Sequence, residues 1–183
     1  MKKNKFIVYD PEFINMGHYS RLNKYILELL TKIKKVDEII YFGKNIYKNK
    51  KIKFKRLPSL STYNYRYSSK YKKIFFSFFE ILKTLKVVFK LKKESKGATL
   101  ILLSEGSIFL NLFMFLFFKS PFIIYSITIR NFYRKGFIGW LFKIIYKLNY
   151  FKSESIIVTD KIFQSNLKKM KFKNVFILPE RNL

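Results

Sequence analysis

The chain's only histidine, His18, lies between Gly17 and Tyr19 in the segment Asp10-Pro-Glu-Phe-Ile-Asn-Met-Gly-His-Tyr-Ser20. A glycine lets the backbone approach a ligand closely, and a helix starting near Ser20 offers free N–H groups to an anion. The imidazole could act as a base or as a hydrogen-bond donor to a sugar or phosphate. The plainer alternative is that Gly17 makes a turn and His18 packs on the helix cap. The segment is neither the dinucleotide glycine fingerprint nor a P-loop. A second candidate is Leu103-Ser-Glu-Gly-Ser107. There Glu105 suits a general base or a partner for an acceptor hydroxyl, with Gly106 giving clearance. Alternatively, Glu105 stabilises the next helix through its dipole. In Thr128-Ile-Arg-Asn131, Arg130 could pair bidentately with phosphate or be an ordinary surface arginine, with Asn131 beside it. Asp160, between a strand and a helix, reads as an N-cap rather than a catalyst.

Composition removes several chemistries. With no cysteine there is no disulfide framework, thiolate metal site or cysteine nucleophile. One histidine excludes a multi-histidine metal site and leaves few ways to build a histidine relay. No metal and no cofactor is expected.

The elements that must position these residues alternate along the chain. Phe6–Tyr9 reads as a strand ended by Asp10-Pro11. A helix follows, capped by Ser20, with Leu22, Tyr25, Ile26, Leu29, Leu30 and Ile33 on one buried face. Glu38–Phe42 is a strand stopped by Gly43, and the alternation of Lys51–Leu57 marks a strand nearer an edge. Ser59–Ser69 reads as a polar, tyrosine-rich loop. Tyr71–Lys93 is a long basic helix whose broad apolar stripe runs through Ile74, Phe75, Phe78, Ile81, Leu82, Leu85, Val88 and Phe89. On this reading Phe76, Phe79, Val87 and Leu91 fall outside the stripe. Ala98–Leu103 is a central parallel strand, Ile108–Phe118 a buried helix, and Phe122–Ile127 another buried strand. The helix Gly139–Tyr150, strand Ser155–Thr159, helix Lys161–Met170 and strand Asn174–Leu178 complete the pattern.

This alternation predicts an α/β fold: a three-layer, Rossmann-like domain with a mostly parallel sheet and helices on both faces. Ligands of such sheets sit at the carboxyl ends of the strands. The positions to search are therefore Asp10–Tyr19, Ser104–Ser107, Thr128–Arg134, Asp160 and Glu180. The 183 residues read as one domain.

Thirty-eight Lys and Arg against 11 Asp and Glu give a formal net charge of +27. Only six of the 38 are arginines, and the abundance of Lys, Ile, Asn, Phe and Tyr also suits an A/T-rich genome. Either way, a field of this sign attracts phosphates and anionic membranes. The apolar run at the N-terminus is too short for an export signal, and Ile108–Phe118 is too short to span a bilayer. The expected location is the cytoplasm, with contact to the inner face of the cell membrane. Interleaved aromatics such as Tyr63-Asn-Tyr-Arg-Tyr67 superficially suit nucleic-acid stacking, but no binding-module signature accompanies them, so nucleic acid is not an expected partner.

The ordered motifs resemble those of GT-B glycosyltransferases, notably family 4-like enzymes. The strand Phe6–Tyr9, the loop Gly17-His18-Tyr19 and the helix Ser20–Lys34 are similar to their start, where a Gly-Gly-His or Gly-His loop is common. Phe122-Ile-Ile-Tyr-Ser-Ile-Thr-Ile-Arg-Asn131 resembles the strand ending in a His-Asn-type turn. Ser153-Glu-Ser-Ile-Ile-Val-Thr-Asp160, Leu167 and Asn174-Val-Phe-Ile-Leu-Pro179 resemble the segment that closes the acceptor-side domain. The chain departs in having Arg130 where a histidine often sits, Lys152-Ser-Glu154 for alanine-aspartate, and Pro179-Glu-Arg181 for proline-asparagine-glycine.

The resemblance implies that residues 1–183 are the acceptor-side half of a GT-B architecture, with the donor-binding domain absent from the chain. It implies sugar transfer from a nucleotide-sugar donor to a lipid-linked or polysaccharide acceptor, typically without a bound metal, in cell-surface glycan synthesis. Glu105 and His18 would be catalytic, with substrate binding by Gly17, Tyr19, Arg130 and Asn131. A missing domain or partner subunit would supply the donor site. The alternatives are a basic nucleic-acid-associated protein and a non-catalytic glycosyltransferase remnant.

Overall fold

The computed structural model describes residues 4–11, 17–58, 60, 70–104, 106–126 and 135–178, with the side chains of 17–19, 70–77 and 138 outside that description. Seven strands form one sheet: β1 (Lys5–Tyr9), β2 (Glu38–Phe42), β3 (Ile52–Lys55), β4 (Thr99–Leu102), β5 (Phe122–Ser126), β6 (Ser155–Val158) and β7 (Val175–Ile177). Their order is β3-β2-β1-β4-β5-β6-β7, and every pairing is parallel. The expected α/β, Rossmann-like sheet is therefore present, and among the described residues it is wholly parallel.

The helices are α1 (Gly17–Lys32), α2 (Lys70–Glu94), α3 (Ile108–Phe117), α4 (Gly136–Lys152) and α5 (Lys161–Lys169). Successive strand side chains alternate between the sheet's faces, so each strand contributes to two cores. On one face Val8, Ile39, Tyr41 and Ile101 pack with Leu22, Ile26, Leu27 and Leu30 of α1. On the other, Ile7, Phe42, Leu100, Phe122 and Ile156 pack with residues of α2, α3, α4 and α5. Chain direction explains this division. From β1 the chain turns outward to β2 and β3, then α2 returns it to β4, and α3 to α5 continue the other way. Right-handed crossovers running in opposite directions place their helices on opposite faces.

Three local expectations change. First, the backbone is already helical at Gly17, so Ser20 lies within α1 and does not cap it. Second, the buried side of α2 is Thr84, Val87, Val88 and Leu91, whereas Phe78, Leu82 and Phe89 are exposed. A helix apolar around most of its circumference has no unique stripe. Here the side with the smaller, mostly β-branched residues sits against the sheet, which permits close approach. Third, only Leu110, Asn111 and Met114 of α3 are buried, so its outer side is not enclosed. None of the described helices is long and apolar enough to cross a membrane. The polar loop expected at Ser59–Ser69 lies outside the described residues except for Leu60, which is buried.

Candidate functional site

Because β2 lies on one side of β1 and β4 on the other, the chain leaves β1 and β4 in opposite directions. That divergence opens a crevice at their carboxyl ends, where doubly wound sheets hold ligands. The backbone there is tightly fixed. The Asp10 amide donates to the Phe42 carbonyl at 2.9 Å and the Leu103 amide to the Tyr9 carbonyl at 2.9 Å. Beyond β3, the Leu60 amide donates to the Pro11 carbonyl at 2.8 Å. The segments following β1, β3 and β4 thus converge on Pro11.

Gly106 completes this rim. Its φ of +63° is the left-handed region in which a side chain is strained, and a Cβ there would lie 2.6 Å from Leu110 Cδ2 and 3.4 Å from the Pro11 ring. The Gly106 amide donates to Ser104 Oγ at 3.2 Å, and the Tyr146 hydroxyl of α4 donates to the Gly106 carbonyl at 3.0 Å. Ser107 caps α3, accepting from the Leu110 amide at 3.3 Å. Beneath, Asn149 of α4 donates to Asn111 Oδ1 at 2.8 Å, and Asn111 donates to the Ser107 carbonyl at 3.0 Å. Tyr150 donates to Ser126 Oγ at 2.7 Å, tying α4 to the end of β5. The α3–α4 contact is therefore a buried polar ladder whose upper rungs hold the loop after β4.

Asp10 is a buried carboxylate that sequence reading passed over as a site residue. It is 1% exposed, and Asn23 of α1 donates to its Oδ2 at 3.0 Å. Burial, and secondarily the negative charge of Asp10, push the Tyr9 and Tyr41 phenols well above their ordinary range. The sequence signal was available, since an acid directly between a buried strand and a proline has no helix to cap. Tyr146 carried no such signal.

The sequence-derived candidates fare differently. Gly17, His18 and Tyr19 form the first turn of α1, which rises from the carboxyl edge. The side chains of His18 and Tyr19 lie outside the description. Glu105, Arg130 and Asn131 lie outside the described residues, as does Glu180, although Ser104 and Gly106 fix where the chain enters and leaves position 105. Asp160 is the expected N-cap: its Oδ1 accepts from the Phe163 amide at 2.7 Å. Among the described residues no group of three or more His, Cys, Asp or Glu could hold a metal ion.

Two cavities among the described residues lie away from this edge. A cavity of about 440 Å³ lined by Asn4, Phe6, Ile33, Gly97 and Pro121 sits at the amino edge of the sheet, opposite the loops that converge on Pro11. A second, of about 210 Å³, lies between Tyr150, Ser155 and Lys173 at the amino ends of β6 and β7. Their position at the beginnings of strands removes both from the helix N-termini and strand ends that bind anions in such folds.

No protein-family model matches the sequence, and no curated protein matches it. Among solved structures, the chain is similar to UGT2 of Phytolacca americana, solved in complex with UDP-2fluoro-glucose and pterostilbene. The TM-score is 0.55 and the identity 10%. The similarity covers 98% of this chain and 54% of that one, so the chain spans about half the length of the structure it matches. That neighbour is a UDP-glycosyltransferase of the GT-B fold, and the fold described above is accordingly glycosyltransferase-like.

Proposed function

We propose that this chain is the acceptor-side domain of a GT-B glycosyltransferase, of the family 4-like kind, with donor binding completed by a second domain or subunit. It would help transfer a sugar from a nucleotide-sugar donor to a lipid-linked or polysaccharide acceptor in cell-surface glycan synthesis. The observation that carries the reading is the fold similarity, which runs over nearly the whole chain yet only 54% of its neighbour. The convergence of the loops after β1, β3 and β4 at the switch point between β1 and β4 is consistent with it.

In this reading Glu105 or His18 removes the proton of the acceptor hydroxyl, whose oxygen attacks the donor's anomeric carbon. The nucleoside diphosphate departs with the bonding electrons. Gly17 and Tyr19, at the start of α1, contact the acceptor, while Arg130 and Asn131 contact phosphate or acceptor from the loop after β5. Tyr146 and Ser107 act indirectly, by holding the backbone that follows Glu105.

The test is transfer from a panel of nucleotide sugars, with the chain alone and with the product of the adjacent reading frame. Transfer that falls at least about a hundredfold in Glu105→Gln or His18→Ala, as expected for loss of a general base, supports the reading. If neither combination transfers sugar or binds any nucleotide sugar, the reading is wrong.

A further inference from the structure

Helices α2, α3 and α4 lie side by side over one face of the sheet, with α3 in the middle. Their inward sides mix apolar residues (Val87, Val88 and Leu91 on α2, Leu110 and Met114 on α3) with polar groups: Thr84 on α2, Asn111 on α3, and Tyr146, Asn149 and Tyr150 on α4. Their outward sides nonetheless carry large apolar residues. On α4, Phe137, Trp140, Leu141, Leu148 and Phe151 recur at helical spacing on the outer face, with Phe137 77% and Trp140 55% exposed. On α2 the exposed residues are Phe78, Phe79, Leu82 and Phe89. Between them, α3 has the sequence Ile-Phe-Leu-Asn-Leu-Phe-Met-Phe-Leu-Phe; its one polar residue, Asn111, is buried and Leu116 is exposed. A ring contact joins α2 to α3, with Phe89 5.6 Å from Phe117, α3 packs along α4, and within α4 Phe137 stacks on Trp140 at 5.8 Å. Scattered exposed apolar residues need no explanation, but a contiguous patch across three helices marks a binding surface.

The charge around this patch identifies what it meets. α2 carries eight lysines and two glutamates, α3 no charge, and α4 three lysines and no acid. Lys86 stands on the outward stripe between Leu82 and Phe89, and Glu94 is already ion-paired with Lys55 at 2.8 Å. A second copy of the chain would set one lysine fringe against another, which like-charge repulsion opposes. A surface apolar at its centre and cationic at its edge matches the interface of an anionic bilayer, where lysine stems lie along the apolar region and ammonium groups meet lipid phosphates. An exposed tryptophan on such a face suits the headgroup level.

We infer that the outer face of α2, α3 and α4 docks the protein on an anionic phospholipid bilayer, lying on the surface without crossing it. The amino ends of these helices lie at the carboxyl edge of the sheet, so docking holds the crevice by Pro11 and Gly106 close to the lipid. This deepens the proposed function by placing the lipid portion of the acceptor. Its test reads membrane binding alone, so its failure is distinguishable from failure of sugar transfer.

Trp140 is the chain's only tryptophan and lies within the proposed face. Its emission in the full chain is titrated with phosphatidylcholine vesicles, with and without phosphatidylglycerol, alongside vesicle flotation. The expected result is a blue shift and flotation with the anionic vesicles only. Replacing Lys86 by Gln should weaken partition about fivefold, and the exposed pair Phe137→Asp and Leu148→Asp about tenfold or more, with the melting temperature kept. The inference is overturned if emission and flotation do not change at vesicle excess. It is equally overturned if light scattering shows a dimer that Leu148→Asp dissociates, which would assign the face to a second copy.

Discussion

Gly97 and Gly106 both have positive φ, +73° and +63°, but differ in what surrounds them. Around Gly97 an added Cβ meets nothing within 4 Å; at Gly106 it would meet Leu110 Cδ2 at 2.6 Å and Pro11 at 3.4 Å. Alanine in the left-handed region costs about 1–2 kcal/mol, and its effect on the unfolded chain is common to both sites. Carbon pairs rest at about 3.5–4.0 Å, so at Gly106 the side chain of Leu110 must move as well. Leu110 is fully buried, and such overpacking costs about 1–3 kcal/mol more. Gly106→Ala should therefore destabilise the protein by that additional amount relative to Gly97→Ala. In a chain of this size it lowers the melting temperature by about 2–4 °C further for each kcal/mol. Urea titration and thermal melting by circular dichroism measure both variants. Equal losses, or a larger loss at Gly97, would refute the claim that the β4 loop is packed against Pro11 and α3.

Alkaline unfolding supplies a second prediction. The Tyr9 and Tyr41 phenols stay neutral in the folded chain, held up first by burial and then by Asp10, whereas unfolded tyrosine ionises near pH 10.0. Above that value the folded state binds more protons than the unfolded one. Stability is thus complete below about pH 10 and falls as pH rises, by about 1.4 kcal/mol per pH unit for each tyrosine. Tyr41→Phe should flatten that slope in pH-dependent urea titrations. Asn149→Leu removes the donor to Asn111 and should cost about 1–3 kcal/mol, while adding Asn111→Leu should return part of it; a double-mutant cycle by urea denaturation reads the coupling. Asp160→Ala should cost about 1 kcal/mol through loss of the α5 cap, read by the same melts.

How far the sequence spoke depended on what each signal measured. The β-branched runs Phe6–Tyr9, Glu38–Phe42 and Phe122–Ile127 led to strands β1, β2 and β5 because parallel strands buried on both faces leave continuous apolar runs. The alternating Lys51–Leu57 segment led to β3, which lies at the sheet edge. Periodicity failed in α2 because a stripe reports where apolar residues lie and not which medium they meet. Of the stripe taken as core, Val88 is buried but Phe78, Leu82 and Phe89 are exposed, and Val87 and Leu91, read as outside it, are buried. The carboxyl-edge rule pointed to the loop after β4, in which Gly106 lies against Pro11. It could not reveal Asp10 with Asn23, or Tyr146 with the Gly106 carbonyl. Those contacts join residues 13 and 40 positions apart, and only folding brings them together.

The central claim is that this chain presents an acceptor to a donor-binding partner at the crevice beside Pro11 and Gly106. The direct measurement is incorporation of labelled sugar from nucleotide-sugar donors into lipid-linked or polysaccharide acceptors on anionic vesicles, with the adjacent reading frame's product present. The account predicts labelled product that depends on both chains and is lost in Glu105→Gln or His18→Ala. Undiminished transfer by the partner without this chain, or by both single variants of it, would contradict the account.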